Sequence, residues 1–176
     1  MKLVNVSGAV IIKKSPSGSN LLLLIQRAKK DNWPFVWEFP RGKCDKGDES
    51  NLKSCLKREV KEETGLDVEP IKFIDKYEYI ADEGKRKSIQ HNYLCKLKNE
   101  NQEIKLSKEH DNYKCIQSFG EVELLVPPEM KKTIAKVFNV DSSITSPEDN
   151  KVEVVEEGNL VLRRYLSYLE MLRSLK

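Results

Sequence analysis

Three glutamates, Glu59, Glu62 and Glu63, lie close together in the segment LKSCLKREVKEETGL that runs from Leu52 to Leu66. At 3.6 residues per turn they share a helix face with Leu52, Cys55, Leu56 and Leu66, so the acids continue an apolar stripe. Lys53, Lys57 and Lys61 fall on the opposite face. A helix displaying its charges to solvent would show the reverse order. Like charges at i, i+3 and i+4 each cost roughly a few tenths of a kcal/mol when exposed, and partly burying unpaired carboxylates costs several kcal/mol more. Arg58 can pair with one acid. The others need either a hard divalent cation, which accepts several oxygen ligands, or Arg and Lys side chains brought from elsewhere in the fold. A second acidic group, Glu109-His110-Asp111 in LSKEHDNYKC, is expected in a loop before a strand. A carboxylate reaching the cluster from there is suited to bind another metal or to accept a proton, and Glu59 is the competing base. His110 alone reads as a hydrogen-bonding loop residue.

The elements that must position these groups follow from pattern. Residues 3 to 13 and Leu21 to Ile25, joined by the turn-rich SPSGSN, predict a hairpin. Val36 to Phe39 is extended, Arg41 to Ser50 is a polar loop, and a helical pattern then ends at Gly65. Ile71 to Tyr79 and Ser88 to Leu97 predict two more strands, Tyr113 to Ser118 a shorter one, and the sheet is expected to be mixed. Pro128 suits a helix start, with Met130, Ile134, Val137 and Phe138 forming one apolar stripe. Residues 139–159 read as an acidic linker, and 160–176 as an amphipathic helix that packs back on its own domain or pairs with a second copy in a homodimer. The expected division is therefore a domain over 1–138, the linker, and the terminal helix.

Composition narrows the class. The chain has 176 residues, enough for one ordinary domain, and 31 basic against 28 acidic residues leave +3, far from a strongly basic nucleic-acid binder. No apolar stretch reaches the roughly 20 residues that span a bilayer, so a soluble, cytoplasmic protein without membrane contact is expected. Cys44, Cys55, Cys95 and Cys115 lie 11, 40 and 20 residues apart and form no C-x-x-C pair. They are read as reduced thiols, pointing to a reducing compartment.

Gly42, Glu49 and Arg58-Glu59-Val60-Lys61-Glu62-Glu63-Thr64-Gly65-Leu66 together resemble the signature of the Nudix hydrolases, G-x5-E-x7-R-E-U-x-E-E-x-G-U. Its second half matches throughout. Six residues separate Gly42 from Glu49 and eight separate Glu49 from Arg58, one more than the family pattern in each gap. The resemblance covers roughly residues 5 to 138 and implies an α/β fold, the family's α/β/α sandwich around a mixed sheet. It also implies magnesium, with manganese as a substitute, held by Glu59, Glu62 and Glu63, with Arg58 orienting the acids and the Gly42 carbonyl as a further ligand. Glu49 belongs to the family's metal-binding set, but its shifted register suits orienting the ligands better than direct ligation. Gly65 closes the helix, consistent with glycine's ease in the left-handed conformation.

Such a hydrolase cuts phosphoanhydride bonds, and the absence of a P-loop, a G-x-S-x-G or an H-E-x-x-H from the sequence agrees with direct attack by water. Arg27, after the Leu21 to Ile25 strand, and Arg41, before Gly42, suit a bidentate grip on phosphate oxygens. Trp33, Trp37, Tyr77, Tyr93 and Tyr113 either stack on a base or pack the core, with Tyr113 the first choice for stacking. LSKEHDNY also resembles the S-x-E-H-x-x-Y segment of diadenosine tetraphosphate hydrolases, in which Glu109 matches a catalytic or metal-binding glutamate. That favours a nucleoside polyphosphate such as diadenosine tetraphosphate as substrate. WEFPRGK resembles the approach to the motif in mRNA-decapping members, which makes an RNA 5′ end the alternative. A non-catalytic nucleotide or RNA sensor on the same fold is the third reading.

Overall fold

The computed structural model describes residues 2–45, 47, 51–82, 84–122 and 125–138. Glu49 and the expected linker and terminal helix over 139–176 lie outside them. Seven strands form one sheet: β1 (Lys2–Lys14), β2 (Asn20–Arg27), β3 (Trp37–Glu38), β4 (Arg41–Lys43), β5 (Val68–Ala81), β6 (Arg86–Leu97) and β7 (His110–Ile116). The order is β3-β2-β1-β6-β5, with β4 also paired to β1 and β7 to β2. β1 and β6 run parallel and the other pairs antiparallel, so the sheet is mixed as expected.

The central strands are buried on both faces, and alternation along them divides two apolar layers. Ala9, Ile11, Leu23, Tyr93 and Cys95 pack with Leu56 and Val60 of α1 (Leu52–Thr64). Val10, Leu22, Leu24, Trp37 and Phe39 pack with Met130 and Ile134 of α2 (Pro128–Val137). One helix thus covers each sheet face in an α/β/α sandwich. Trp37 and Tyr93 are core residues, 8% and 9% exposed. Among the described residues no helix is long and apolar enough to cross a membrane.

Three readings change. The start of the expected polar loop at Arg41 is a strand: Arg41, Gly42 and Lys43 pair with Gly8, Ser7 and Val6. Three residues are too few to show a period of two, and their partner is distant in sequence. His110 begins β7 rather than lying in a loop, and is 4% exposed. The cysteines are not all thiols, because Cys44 and Cys55 form a disulfide with Cα atoms 5.3 Å apart. Cys95 and Cys115 remain free. β4 delivers Cys44 to the first turns of α1, a meeting that spacing along the chain cannot show, and the inference to a reducing compartment loses its support at this pair.

Candidate active site

The N-terminal end of α1 is fixed to the sheet. The Asn51 side chain accepts a hydrogen bond from the Ser54 N–H at 3.1 Å, and Ser7 Oγ on β1 donates to the Leu52 carbonyl at 2.9 Å. At the other end Gly65 adopts φ 71°, and its N–H donates to the Lys61 carbonyl at 3.0 Å. Between these ends the helix turns Cys55, Leu56 and Val60 into the core and sets Glu59 and Glu63 over β4.

The three acids are not equivalent. Glu63 is 7% exposed, and its Oε2 accepts the Arg41 N–H at 2.8 Å. Burial first, then the nearby Glu38 charge, raises its carboxyl well above the ordinary range. Glu59 is half-buried, and burial raises it too, against the lowering effect of Arg58. Glu62 has a side chain 58% exposed and turns toward Arg58. It lies about 100° around the helix from Glu63, which explains its place at the edge. Arg58 Nη1 approaches Glu59 Oε1 at 2.8 Å and Glu62 Oε2 at 3.3 Å, and Nη2 donates to the Lys43 carbonyl at 3.2 Å. Arg58 therefore holds two of the acids against the end of β4. Gly42 lies directly under Glu59, where an added Cβ would collide with the carboxylate.

A cleft of about 400 Å³ opens beside these acids, lined by Arg27, Arg41, Gly42, Glu59, Glu63 and Glu109. Trp33, Tyr79 and Arg86 also line it. Arg27 stands at the end of β2 and Arg41 at the start of β4, and both ion-pair with Glu38 of β3, at 2.7 Å each. Glu38 is completely buried. Burial would raise its carboxyl, but Arg41, His110 and Arg27 bring it down to about 2. Burial likewise opposes the Arg41 charge, and Glu38 more than restores it. Arg41 Nη1 reaches the Tyr79 hydroxyl and Gln90 Oε1, both at 2.7 Å.

Glu109 is exposed at the cleft, its loop tied to β2 by the bond from the Ala28 N–H to the Glu109 carbonyl at 2.8 Å. Tyr113 is not in the cleft. It lines a separate surface cavity with Lys13, Leu21 and Cys115. The aromatic groups that do line the cleft are Trp33, 52% exposed, and Tyr79. Sequence reasoning assigned nothing to Glu38, Tyr79, Gln90 or Arg86. For Glu38 a signal existed, an acid between Trp37 and Phe39 in an otherwise apolar segment.

These residues fit a hard divalent cation in chemistry. Glu59 and Glu63 offer carboxylate oxygens beside the Gly42 backbone, Glu109 lines the same cleft, and burial raises the carboxyls of Glu59 and Glu63, a cost that a bound cation would offset. Among the described residues no three acids, histidines or cysteines close into a ready cage. Arg58 and the Arg41 N–H occupy the oxygens instead.

The Nudix domain family model matches residues 4–139. Over 102 residues the chain is 33% identical to the bis(5′-nucleosyl)-tetraphosphatase [asymmetrical] of Mus musculus, a match spanning 56% of this chain and 67% of that protein. It is 36% identical over 74 residues to the 8-oxo-dGTP diphosphatase of Buchnera aphidicola, spanning 42% of this chain and 51% of that one. Among solved structures, the C. elegans Ap4A hydrolase in a binary complex superposes with a TM-score of 0.65 at 27% identity, over 76% of this chain and 94% of that one. The MutT protein of Methanosarcina mazei, at 22% identity and a TM-score of 0.63, covers 78% of this chain and 94% of its own, and shares the fold. With the family model running from the first strand through the second helix, the chain belongs to the Nudix family of pyrophosphohydrolases.

Proposed function

We propose that the chain hydrolyses a phosphoanhydride bond of a nucleoside polyphosphate, with diadenosine tetraphosphate or a related dinucleotide preferred and magnesium required. The observation that carries this reading is the cleft itself, which is lined by Arg27 and Arg41 together with Glu59, Glu63 and Glu109. Polyphosphate needs the first group and a cation needs the second. The mouse and nematode relatives support the choice of substrate.

In this mechanism Arg27 and Arg41 bind phosphate oxygens through the guanidinium edges that Glu38 leaves open. Glu59, Glu62, Glu63 and the Gly42 carbonyl would hold magnesium, or manganese in its place, and Arg58 keeps Glu59 and Glu62 oriented. An ion held there would supply charge neutralisation at the phosphate and favour the ionised form of these acids. Glu109 takes the proton of the attacking water, since it stands at the cleft without the Arg58 contact that restrains Glu59. Trp33 supplies a face on which a base can stack.

The test is a substrate panel with purified protein and magnesium. Release of ATP and AMP from diadenosine tetraphosphate is the expected result. Preferential release of m7GDP from capped RNA would move the assignment to RNA 5′ ends, and nucleotide binding without turnover of any substrate would overturn it in favour of a sensor.

A further inference from the structure

Glu38 is buried more completely than any role in filling the core requires of a charged group. A carboxylate away from water costs several kcal/mol unless ion pairs and hydrogen bonds replace its hydration. Here three side chains do so. Arg27 Nε meets Oε1 at 2.7 Å, Arg41 Nε meets Oε2 at 2.7 Å, and His110 Nε2 lies 3.4 Å from Oε1. His110 Nε2 also stands 3.9 Å from Glu63 Oε1, so one imidazole lies between Glu38 and the most deeply buried acid of α1.

Each guanidinium is then secured a second time. Arg27 Nη1 donates to Asp31 Oδ2 at 2.9 Å, and Arg41 Nη1 to Tyr79 and Gln90. Among the described residues, neither Arg27 Nη2 nor Arg41 Nη2 makes a hydrogen bond. Both residues line the cleft that holds Glu59, Glu63 and Glu109. Two planar cations are thus fixed through Nε and Nη1, with donors remaining at one site.

We infer that Glu38 is a positioning residue, a single buried carboxylate that fixes Arg27 and Arg41 as a pair for polyphosphate and, through His110, keeps that pair in register with Glu63. The inference rests on the reading that the two arginines bind phosphate. A guanidinium held by its Nε edge loses little rotamer freedom on binding an anion, whereas one free to rotate must be ordered by the substrate. Glu38 is the carboxylate at the Nε of both Arg27 and Arg41, so it supplies this order to both.

Glu38→Gln keeps the shape but removes the charge, and it turns an amide N–H toward one of the two arginines. In the full chain with magnesium, KM for diadenosine tetraphosphate should rise about tenfold or more, while the magnesium concentration for half-maximal rate stays close to wild type. In a background of Arg27→Ala and Arg41→Ala, Glu38→Gln should add little, because its effect passes through those side chains. If the two arginine variants raise KM and folded Glu38→Gln does not, the inference fails and the phosphate reading stands. If the arginine variants leave KM unchanged, the phosphate reading fails. An equal cost of Glu38→Gln with and without the arginines would make its role purely structural and overturn the inference. Should Glu38→Gln not fold, the wild-type protein decides. The Nε–H signals of Arg27 and Arg41 in 15N NMR should exchange slowly with water before any substrate is added, and exchange as fast as in free arginine would overturn the inference.

Discussion

Reducing the Cys44–Cys55 disulfide tests how α1 is held to β4. The two cysteines are 11 residues apart in sequence, and Cys55 is fully buried while Cys44 is 6% exposed. Closing a loop of that length removes about 9 cal/mol/K from the unfolded chain, or about 3 kcal/mol at 25 °C in the chain-entropy description. For a domain of this size each kcal/mol moves Tm by roughly 3 °C, so reduction should lower it by about 6 to 12 °C. The assay is a thermal melt of the full chain with and without a phosphine reductant, alongside a thiol count on unfolded protein. Two free thiols, Cys95 and Cys115, are expected before reduction and four after it. Cys44→Ala should reproduce the reduced melt, since it removes the bond without placing a hydroxyl in the core at Cys55. Because the bridged loop carries Glu49, the reduced enzyme should also need a few-fold more magnesium for half-maximal rate. Four thiols without reductant, or a Tm unmoved by complete reduction, would refute the reasoning.

Other perturbations separate the acids. Glu63→Gln should lower turnover at least a hundredfold, because it alters a buried carboxylate inside the cleft, whereas Glu49→Gln should cost roughly 10 to 100-fold, the range for a group that orients ligands; steady-state rates at saturating magnesium compare them. Chelator should abolish activity and magnesium restore it, with full rates in excess chelator refuting the metal requirement. In metal-free protein Glu63 binds its proton more tightly folded than unfolded, so its contribution to stability is complete below the ordinary carboxylate range and is lost as pH rises through its raised folded value. Melts in chelator should therefore show Tm falling with pH over that interval, and Glu63→Gln should flatten the slope.

What could be read from the sequence was local or periodic. The α1 register, its closing Gly65, the hairpin and the long β5 and β6 strands follow from apolar spacing and turn residues that lie within each element. The acidic face of α1 was legible for the same reason, although a helical wheel cannot say that Glu62 lies beyond the cleft edge, since that depends on where β4 crosses the helix. The missed features all depend on strand pairing between distant residues. β4 exists because Arg41 to Lys43 meet Gly8 to Val6, and that pairing is also what brings Cys44 to Cys55.

The arrangement of charges follows from the same pairing. Ile25 opposite Glu38 on β2 and β3, and Gly8 opposite Arg41 on β1 and β4, place one buried acid between two arginines that are 14 residues apart in sequence. Gly8 is needed there because a Cβ would come within 2.6 Å of Asn92 Oδ1 and 2.9 Å of Gln90 Nε2, and Gln90 is itself an Arg41 partner. The acids proposed to bind the cation stand on a helix whose face is set by apolar packing, while the arginines proposed to bind phosphate stand on strands and share one buried carboxylate. His110 lies within 4 Å of both Glu38 and Glu63, and Arg41 bonds both as well through its Nε and its backbone N–H, so these two residues keep the spacing of the two halves. A substitution at His110 should therefore change the fit between cation and phosphate without touching either, which distinguishes this site from one in which the acids and arginines act independently.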